Sequence, residues 1–229
     1  FFSQMQNGQM CCTALCIVLC AFLPGATSVF NLTTCPFAEE IWQLGADPFK
    51  VPRTFQLQRF APLPAGAKYY ELAFHDWTQK PICPAPKCVS STKVFDPALS
   101  QVNDTFALQC MGFMFREALK FTPTQTPGRL LAWWNGLPGT PQRGWIPDTV
   151  VDFGLMRDGE GYDWVLEFQC VARFGRVLFA GVNFYSRQRD PGAAYIRELI
   201  AVAREHGLGV YLDYGMGLTL VDQQSCAEG

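Results

Sequence analysis

The residues best suited to chemistry are few in this sequence and widely spaced. Of its two histidines, His75 precedes Asp76, and His206 ends a predicted helix. An imidazole beside a carboxylate suits acid–base work, but neighbours in a strand point to opposite faces. We therefore expect His75 to be an ordinary strand residue and His206 to interact with the dipole of its helix.

Cys83 and Cys88 have the spacing of half a metal site. A structural zinc ion needs four ligands, and no second cysteine pair or histidine cluster completes the set. We predict no metal, and interpret the pair as a disulfide or as two unrelated cysteines. The motifs of serine hydrolases, P-loop enzymes and dinucleotide-binding enzymes are also absent from the sequence.

The ten cysteines fall into two groups. Four lie in an N-terminal apolar stretch, where cysteine behaves as a small hydrophobe. The other six are disulfide candidates dispersed along the chain: Cys35, Cys83, Cys88, Cys110, Cys170 and Cys226. Such a set suits an oxidising compartment. Buried free thiols are the alternative, and the pairing stays open.

Composition narrows the class of protein. Hydrophobic residues make up 49% of the chain and aromatic residues 14%, which argues against disorder and suits an all-β interior. The net charge is −2, with no run of lysine or arginine, so we expect no nucleic-acid partner.

The N-terminal region is apolar, and no charged residue precedes Glu39. Residues 10–30 are long enough for a transmembrane helix, which needs about 20 apolar residues. A cleaved signal peptide is the alternative, because residues 25–28 are small. We predict an N-terminal apolar segment over 1–34, interpreted as a membrane helix, and a globular domain over 35–229.

Short alternating runs in the globular part predict eight strands separated by turn-rich connections. The predicted strands are 54–60, 69–77, 90–95, 105–116, 129–134, 149–156, 162–170 and 176–187. A helix over 191–206 follows, with Asp190 as its cap and an apolar stripe on one face. No helix separates the strands, so the pattern predicts an antiparallel, all-β, lipocalin-like barrel with the helix packed outside.

Parts of the chain resemble the lipocalin domain of the violaxanthin de-epoxidase family. The resemblance lies in residues 161–168 (GYDWVLEF), in 180–187 (AGVNFYSR), and in the helix 194–207 that follows a proline-containing turn. Residues 42–60 are similar to the first strand of that family with its entry tryptophan. The resemblance implies a lipocalin barrel, a place in the thylakoid lumen and a carotenoid or lipid as ligand.

The departures from the family bear on activity. Its first strand carries aspartates and a cysteine where Val51, Thr54 and Phe55 stand here, and its cysteine-rich N-terminal domain is replaced by the apolar segment. Acid–base work on an epoxide needs a proton donor in the pocket. Asp47 and Asp76 are the alternative candidates for that donor. We favour a non-catalytic role, and enzymatic activity stays open.

The resemblance also implies structural and ligand-binding roles. Arg187 is similar to the lipocalin arginine that packs over an entry tryptophan, here Trp42, by a cation–π contact. Tail cysteine Cys226 is expected to bond back to the barrel, to Cys35 first or to Cys170 second. The candidates for the barrel lining, and with it for the ligand site, are Phe55, Leu57, Trp164, Phe168 and Phe184. A solid core filled by these side chains is the alternative, because a small barrel holds either a ligand or only side chains.

Three functions follow as hypotheses. The favoured one is a membrane-anchored, non-catalytic subunit of a larger, photosynthetic complex, with its barrel in the thylakoid lumen, bound to other protein subunits and holding a carotenoid or lipid, with no cofactor required. The second is a xanthophyll de-epoxidase-like enzyme. The third is a secreted carrier of an apolar ligand, which requires cleavage of the N-terminal segment.

Overall fold

The computed structural model describes residues 54–76, 83–134, 144–173, 176–213 and 217–226. A short helix, α1 (Leu57–Phe60), precedes the strands. These are β1 (Ala67–Asp76), β2 (Lys87–Asp96), β3 (Gln101–Cys110), β4 (Phe113–Pro123), β5 (Arg129–Trp134), β6 (Gly144–Leu155), β7 (Tyr162–Arg173) and β8 (Arg176–Ser186). Helices α2 (Ala193–Glu205) and α3 (Gly209–Leu212) and the short strand β9 (Thr219–Leu220) follow.

The eight long strands form a closed antiparallel barrel. Each strand from β2 to β7 pairs with the next one along the chain. Strand β1 closes the barrel, because it pairs with β8 (Tyr70 opposite Ser186) and with β2 (Tyr69 opposite Ser91). Strand β9 adds to β1 at Ala73 and Phe74. The predicted eight-stranded antiparallel barrel followed by a helix is confirmed.

The antiparallel order places alternate connections at the same end of the barrel. We call the end with the β1–β2, β3–β4, β5–β6 and β7–β8 connections the open end. The other end is the closed end, because α1 covers it: Phe60 is fully buried and Phe55 is 8% exposed.

Two of the predicted strands are wrong. Residues 57–60 form α1 rather than a strand, and Phe60 turns into the barrel end. The predicted strand 105–116 is instead a hairpin, in which β3 ends at Cys110 and β4 begins at Phe113. Met111 and Gly112 form its turn, with positive φ angles of 50° and 84°. The two errors cancel in the strand count.

Helix α2 packs on the outside of the barrel through Leu199 and Ala203, in line with its predicted apolar stripe. It spans Ala193–Glu205 rather than 191–206. Its predicted cap is wrong, because the helix begins after Gly192 with no side-chain cap, and Asp190 instead accepts a hydrogen bond from Gln224 Nε2 at 2.8 Å.

The predicted N-terminal segment 1–34 lies outside the described residues. Within the ranges that the structure describes, no helix has both the length and the apolar character needed to cross a membrane.

Candidate functional site

The inside of the barrel is defined by a cluster of buried apolar side chains. Seven of the eight long strands contribute to it, which only the interior of a closed barrel allows. We call this the inner cluster; its buried members are Phe55, Phe60, Ala61, Ala67, Tyr69, Val102, Phe121, Leu130, Ala132, Val150, Tyr162, Val165 and Tyr185.

A second cluster lies between the outer surface of the barrel and α2 and α3. It joins Leu199 and Ala203 of α2 to outward-facing side chains of β7 and β8. Trp164, Phe168 and Phe184 belong here, so their predicted place in the barrel lining is wrong. The alternation along β7 is present, but its aromatic face is the outer one, because the amphipathic helix covers it.

The other two predicted lining residues lie on the inner side. Phe55 belongs to the inner cluster and Leu57 packs against it, both at the closed end. Phe55 stacks on Tyr162 with ring centroids 5.5 Å apart, and Phe153 lies 4.2 Å from the same ring. The Tyr162 hydroxyl accepts a hydrogen bond of 2.6 Å from the Gln56 backbone N–H. These contacts fix α1 across the barrel end.

A charged layer crosses the middle of the interior. Lys93 on β2 lies directly opposite Asp104 on β3, and Lys93 Nζ is 2.9 Å from Asp104 Oδ2. Glu167 Oε1 of β7 lies 3.5 Å from the same ammonium. Ser91 Oγ lies 2.7 Å from both carboxylate oxygens of Asp104. With Asp148 of β6, these side chains bring four ionisable groups together, each no more than 3% exposed.

Burial and mutual charge set the protonation of this layer. Burial, reinforced by the charge of Glu167, raises the pKa of Asp148 well above its ordinary value. Burial likewise raises the pKa of Glu167 although Lys93 opposes the shift. Burial lowers the pKa of Lys93, but Asp104 and Glu167 outweigh it and raise that pKa above its ordinary value. The layer therefore holds a cation together with two carboxyl groups, those of Asp148 and Glu167, that bind protons more readily than usual.

Three aromatic rings surround the Lys93 ammonium on the closed side of the layer. Its Nζ lies 4.5 Å from the ring centre of Phe121, 4.9 Å from Phe60 and 5.4 Å from Tyr185. Faces of aromatic rings attract cations. The ammonium is thus held between carboxylates on one side and π-faces on the other.

The inside becomes apolar again toward the open end. Phe74 and Val89 are fully buried there, and Phe106 and Leu108 pack against them while remaining half-buried. Phe115 lies directly opposite Leu108 and therefore shares its face, yet it is 52% exposed. The open half of the barrel thus has an apolar inner wall that the described part of the chain does not fully cover.

The structure shows where three of the residues considered for acid–base work lie in the fold. Asp76 ends β1 at the open end, opposite Gly181, and is half-buried. Asp47 lies outside the described residues. His75, beside Asp76, is a buried strand residue at 2% exposure. His206 follows α2 and its Nε2 lies 2.9 Å from Asp152 Oδ2.

Arg187 is also a cation over an aromatic ring, but the ring is that of Tyr69, at 5.5 Å. Trp42, the predicted ring, lies outside the described residues.

The charged layer itself was absent from the sequence-based site. Its signal was the period of two. Asp104 lies on the same face of β3 as Val102 and Phe106, and Lys93 lies on the same face of β2 as Val89 and Phe95. A charge inside an apolar stripe of a strand points to a polar group within the core. That pattern could have located Lys93 and Asp104.

Two disulfides tie the open end together. Cys83 bonds to Cys110, and Cys88 bonds to Cys226 across 138 residues of chain. The predicted partners of Cys226, Cys35 and Cys170, are therefore wrong; Cys170 is disulfide-bonded elsewhere. The tail reaches the β2 edge because Gln223 Nε2 donates hydrogen bonds to the carbonyl oxygens of Glu71 and Val89. Disulfides of this kind fit an oxidising compartment.

Over the same described ranges, no group of three or more histidine, cysteine or acidic side chains is arranged to hold a metal ion.

Comparison with solved structures identifies the architecture. The apocrustacyanin C1 structure superposes with a TM-score of 0.53 at 15% identity, covering 79% of this chain and 90% of that one. The chain has the lipocalin fold. Apocrustacyanin C2 gives a TM-score of 0.49 at 15% identity over 69% of this chain and 77% of that one. The siderocalin Ex-FABP, said to work through dual ligand specificities, gives 0.48 at 15% identity over 70% and 95%.

Sequence comparison adds nothing to this likeness: no protein-family model matches the chain, and no curated protein matches it. The lipocalin fold is therefore established by structure, whereas ligand and activity must be argued from the side chains.

Proposed function

We propose that this lipocalin-fold protein is a binding protein, and that it takes a small, mainly apolar molecule into the open half of its barrel. The observation that carries the proposal is the incompletely covered inner wall formed by Phe106, Leu108 and Phe115. Apolar surface inside a concave site is the usual driving force for holding a small ligand. The barrel mouth gives such a molecule its route of entry.

The charged layer forms the floor of this site and sets its depth. Lys93 forms buried ion pairs with Asp104 and Glu167, so a ligand stops above these side chains. The floor carries more carboxyl groups than ammonium groups. A neutral ligand with a hydrogen-bonding end therefore suits it better than an anionic one. A carotenoid or a neutral lipid has this character, and the partial resemblance to the violaxanthin de-epoxidase family favours the carotenoid.

Ligand binding can be measured by quenching of tryptophan fluorescence in the purified full chain, without vesicles. We expect a carotenoid to quench and a diacylglycerol to reverse that quenching by competition. Leu108→Asp should weaken carotenoid binding by at least about tenfold, because it places an unpaired charge in the apolar wall. Leu99→Asp is the matched control, since Leu99 is 64% exposed between β2 and β3 at the closed end. Absence of quenching by the carotenoid, or equal losses in the two variants, contradicts the proposal.

The wider setting we propose is a membrane-anchored subunit in the thylakoid lumen, joined to other subunits of a photosynthetic complex. Its support is the apolar N-terminal sequence together with the resemblance. Washing native membranes with carbonate tests the anchor: the full-length chain is expected to stay in the pellet. Release of the full-length chain contradicts anchoring. Release of a chain that begins near residue 28 favours the secreted carrier instead.

A second candidate function is acid catalysis on the bound apolar molecule. Asp148 favours it, because this carboxyl group lies inside the barrel and burial raises its pKa well above the ordinary value, as the proton donor of an acid catalyst requires. Ascorbate-dependent conversion of violaxanthin by the purified chain is the assay. Loss of turnover in Asp148→Asn, with turnover kept in Asp158→Asn at the closed end, supports the catalyst. No turnover in the parent protein across acidic pH removes it.

A further inference from the structure

An apolar projection stands at the tip of the β3–β4 hairpin. Four of the nine exposed large apolar side chains in the described part of the chain fall within residues 111–115, which we call the hairpin tip. Met111 is 77% exposed, Phe113 69%, Phe115 52% and Met114 51%. Scattered apolar side chains are normal on a protein surface, but a contiguous patch marks a contact site.

The hairpin tip is held in place rather than loose. Phe113 pairs with Cys110 and Met114 with Gln109, so the two strands run together up to the two-residue turn. The Cys83–Cys110 disulfide fastens the hairpin directly before the turn. Little conformational entropy is therefore lost when these side chains are buried by a partner.

The charge directly behind the hairpin tip is positive on the outer face. Arg116 is exposed there and shares the face of Met114, because it follows Met114 by two residues along β4. The one acidic residue between Leu108 and Lys120 is Glu117, which lies opposite Phe106 and so shares its inward face. Apolar and aromatic side chains at a tip, with a cation directly behind them, match the layers of a bilayer surface with acidic headgroups.

We propose that the hairpin tip inserts into the surface of an anionic lipid bilayer, with Arg116 against the headgroups. The tip belongs to the open end, so the mouth of the barrel then faces the lipid. This docking does not rest on the proposed ligand, but it would let an apolar ligand pass between membrane and barrel without crossing water.

The size of the patch argues for lipid over protein. A stable protein–protein interface covers about 800 Å² on each partner. A five-residue hairpin tip is small for such an interface, but it is sufficient to immerse the Phe113 ring and the side chains of Met111 and Met114 in a bilayer surface.

Depth-dependent quenching tests the insertion in the full chain. Brominated lipids quench tryptophans that enter the bilayer, and each variant is compared with the parent protein on phosphatidylserine–phosphatidylcholine vesicles. We expect added quenching for Phe113→Trp and none for Leu99→Trp, which reports on the closed end. The N-terminal segment is the same in both, so it cannot produce the difference. Equal quenching in the two variants overturns the proposal.

The contribution of Arg116 is tested in the Phe113→Trp background by measuring how quenching depends on the phosphatidylserine content of the vesicles. Arg116→Gln is expected to weaken binding about fivefold. Arg157→Gln, which changes an exposed arginine beyond β6 at the closed end, is the matched control and is expected to change nothing. Equal affinity of the two variants overturns the electrostatic contribution.

Self-association is the remaining way to cover the hairpin tip, and sedimentation without vesicles detects it. We expect a monomer whose sedimentation is the same in the parent protein and in Phe113→Ser. A dimer that Phe113→Ser abolishes would assign the hairpin tip to a second copy of the chain and overturn lipid docking.

Discussion

Lys93 and Asp104 form an ion pair directly across two neighbouring strands in the interior of the barrel. Lys93 Nζ lies 2.9 Å from Asp104 Oδ2, and the two side chains are 1% and 2% exposed. A buried pair of this kind adds little stability by itself, because desolvation offsets the attraction. Removal of one partner, in contrast, destabilises the protein strongly, because the other charge then stays buried without a counter-charge.

We therefore expect Lys93→Met to lower the free energy of unfolding by about 3–5 kcal/mol, because Asp104 and Glu167 then lack their shared cation. Urea unfolding followed by tryptophan fluorescence measures the change. The surface pair of Lys87 and Asp222, with side chains 46% and 42% exposed, provides the comparison. Lys87→Met should cost less than about 1 kcal/mol. Similar losses for the two variants would mean that Lys93 is not the centre of a buried network.

The raised pKa of Asp148 predicts an unusual dependence of stability on pH. A carboxyl group whose pKa is higher in the folded protein than its ordinary 3.8 binds more protons when folded. Its contribution is favourable below that ordinary value and is lost as the pH rises through the folded pKa. Asp148→Asn, which resembles the protonated acid, should therefore be as stable as the parent protein at pH 3 and more stable at pH 8.

The urea midpoints of the parent protein and of Asp148→Asn, measured from pH 3 to pH 8, test the direction of this stability difference. Asp158→Asn, which changes an exposed carboxylate in the β6–β7 turn, controls for the general loss of a negative charge. Asp148→Asn that is less stable than the parent protein at pH 8 would show that the carboxyl group is held ionised.

The two disulfides should contribute unequally to stability. In the chain-entropy model, the loop closed by a disulfide sets its effect, and the loops here differ: 138 residues for Cys88–Cys226 and 27 for Cys83–Cys110. Replacing Cys88 and Cys226 by alanine should therefore cost about 1.4 kcal/mol more than replacing Cys83 and Cys110. Equilibrium unfolding of the two double variants measures the difference. The reverse order would show that strain or residual structure outweighs loop length.

Gly154 lies against the indole of Trp164. A Cβ atom added at Gly154 would stand 2.1 Å from Trp164 Nε1, which is far inside contact distance. We expect Gly154→Ala to destabilise the protein by about 1–3 kcal/mol through overpacking. The same change made in a Trp164→Leu background should cost much less, and a full cost in that background would locate the conflict in the backbone instead.

The sequence predicts the barrel well because its strands obey a period of two and its connections are rich in turn formers. Strands β5 and β7 begin as predicted, at Arg129 and Tyr162. The hairpin turn at Met111 and Gly112 was not predicted, because strong turn formers other than one glycine are missing there and apolar residues continue on both sides.

The inside and outside of β7 could not be assigned from the strand alone. Its alternation separates Leu166 and Phe168 from Glu167, but the period does not say which set faces inward. The answer depends on α2, which covers the aromatic set from outside. Long-range packing also determines which cysteine forms the disulfide with Cys226, because the C-terminal tail runs beside the start of β2 and reaches Cys88.

The position of the charged layer has a consequence for the order of folding events. Lys93 and Asp104 are 11 residues apart and meet when one hairpin forms, but Glu167 reaches them only after the chain has closed into a ring. Closure joins Tyr70 to Ser186, a distant pairing of the kind that makes β-barrels fold slowly. Before that step the carboxyl groups remain hydrated, and water must leave as the ring shuts. We expect solvent exclusion from the interior to coincide with ring closure rather than with early collapse.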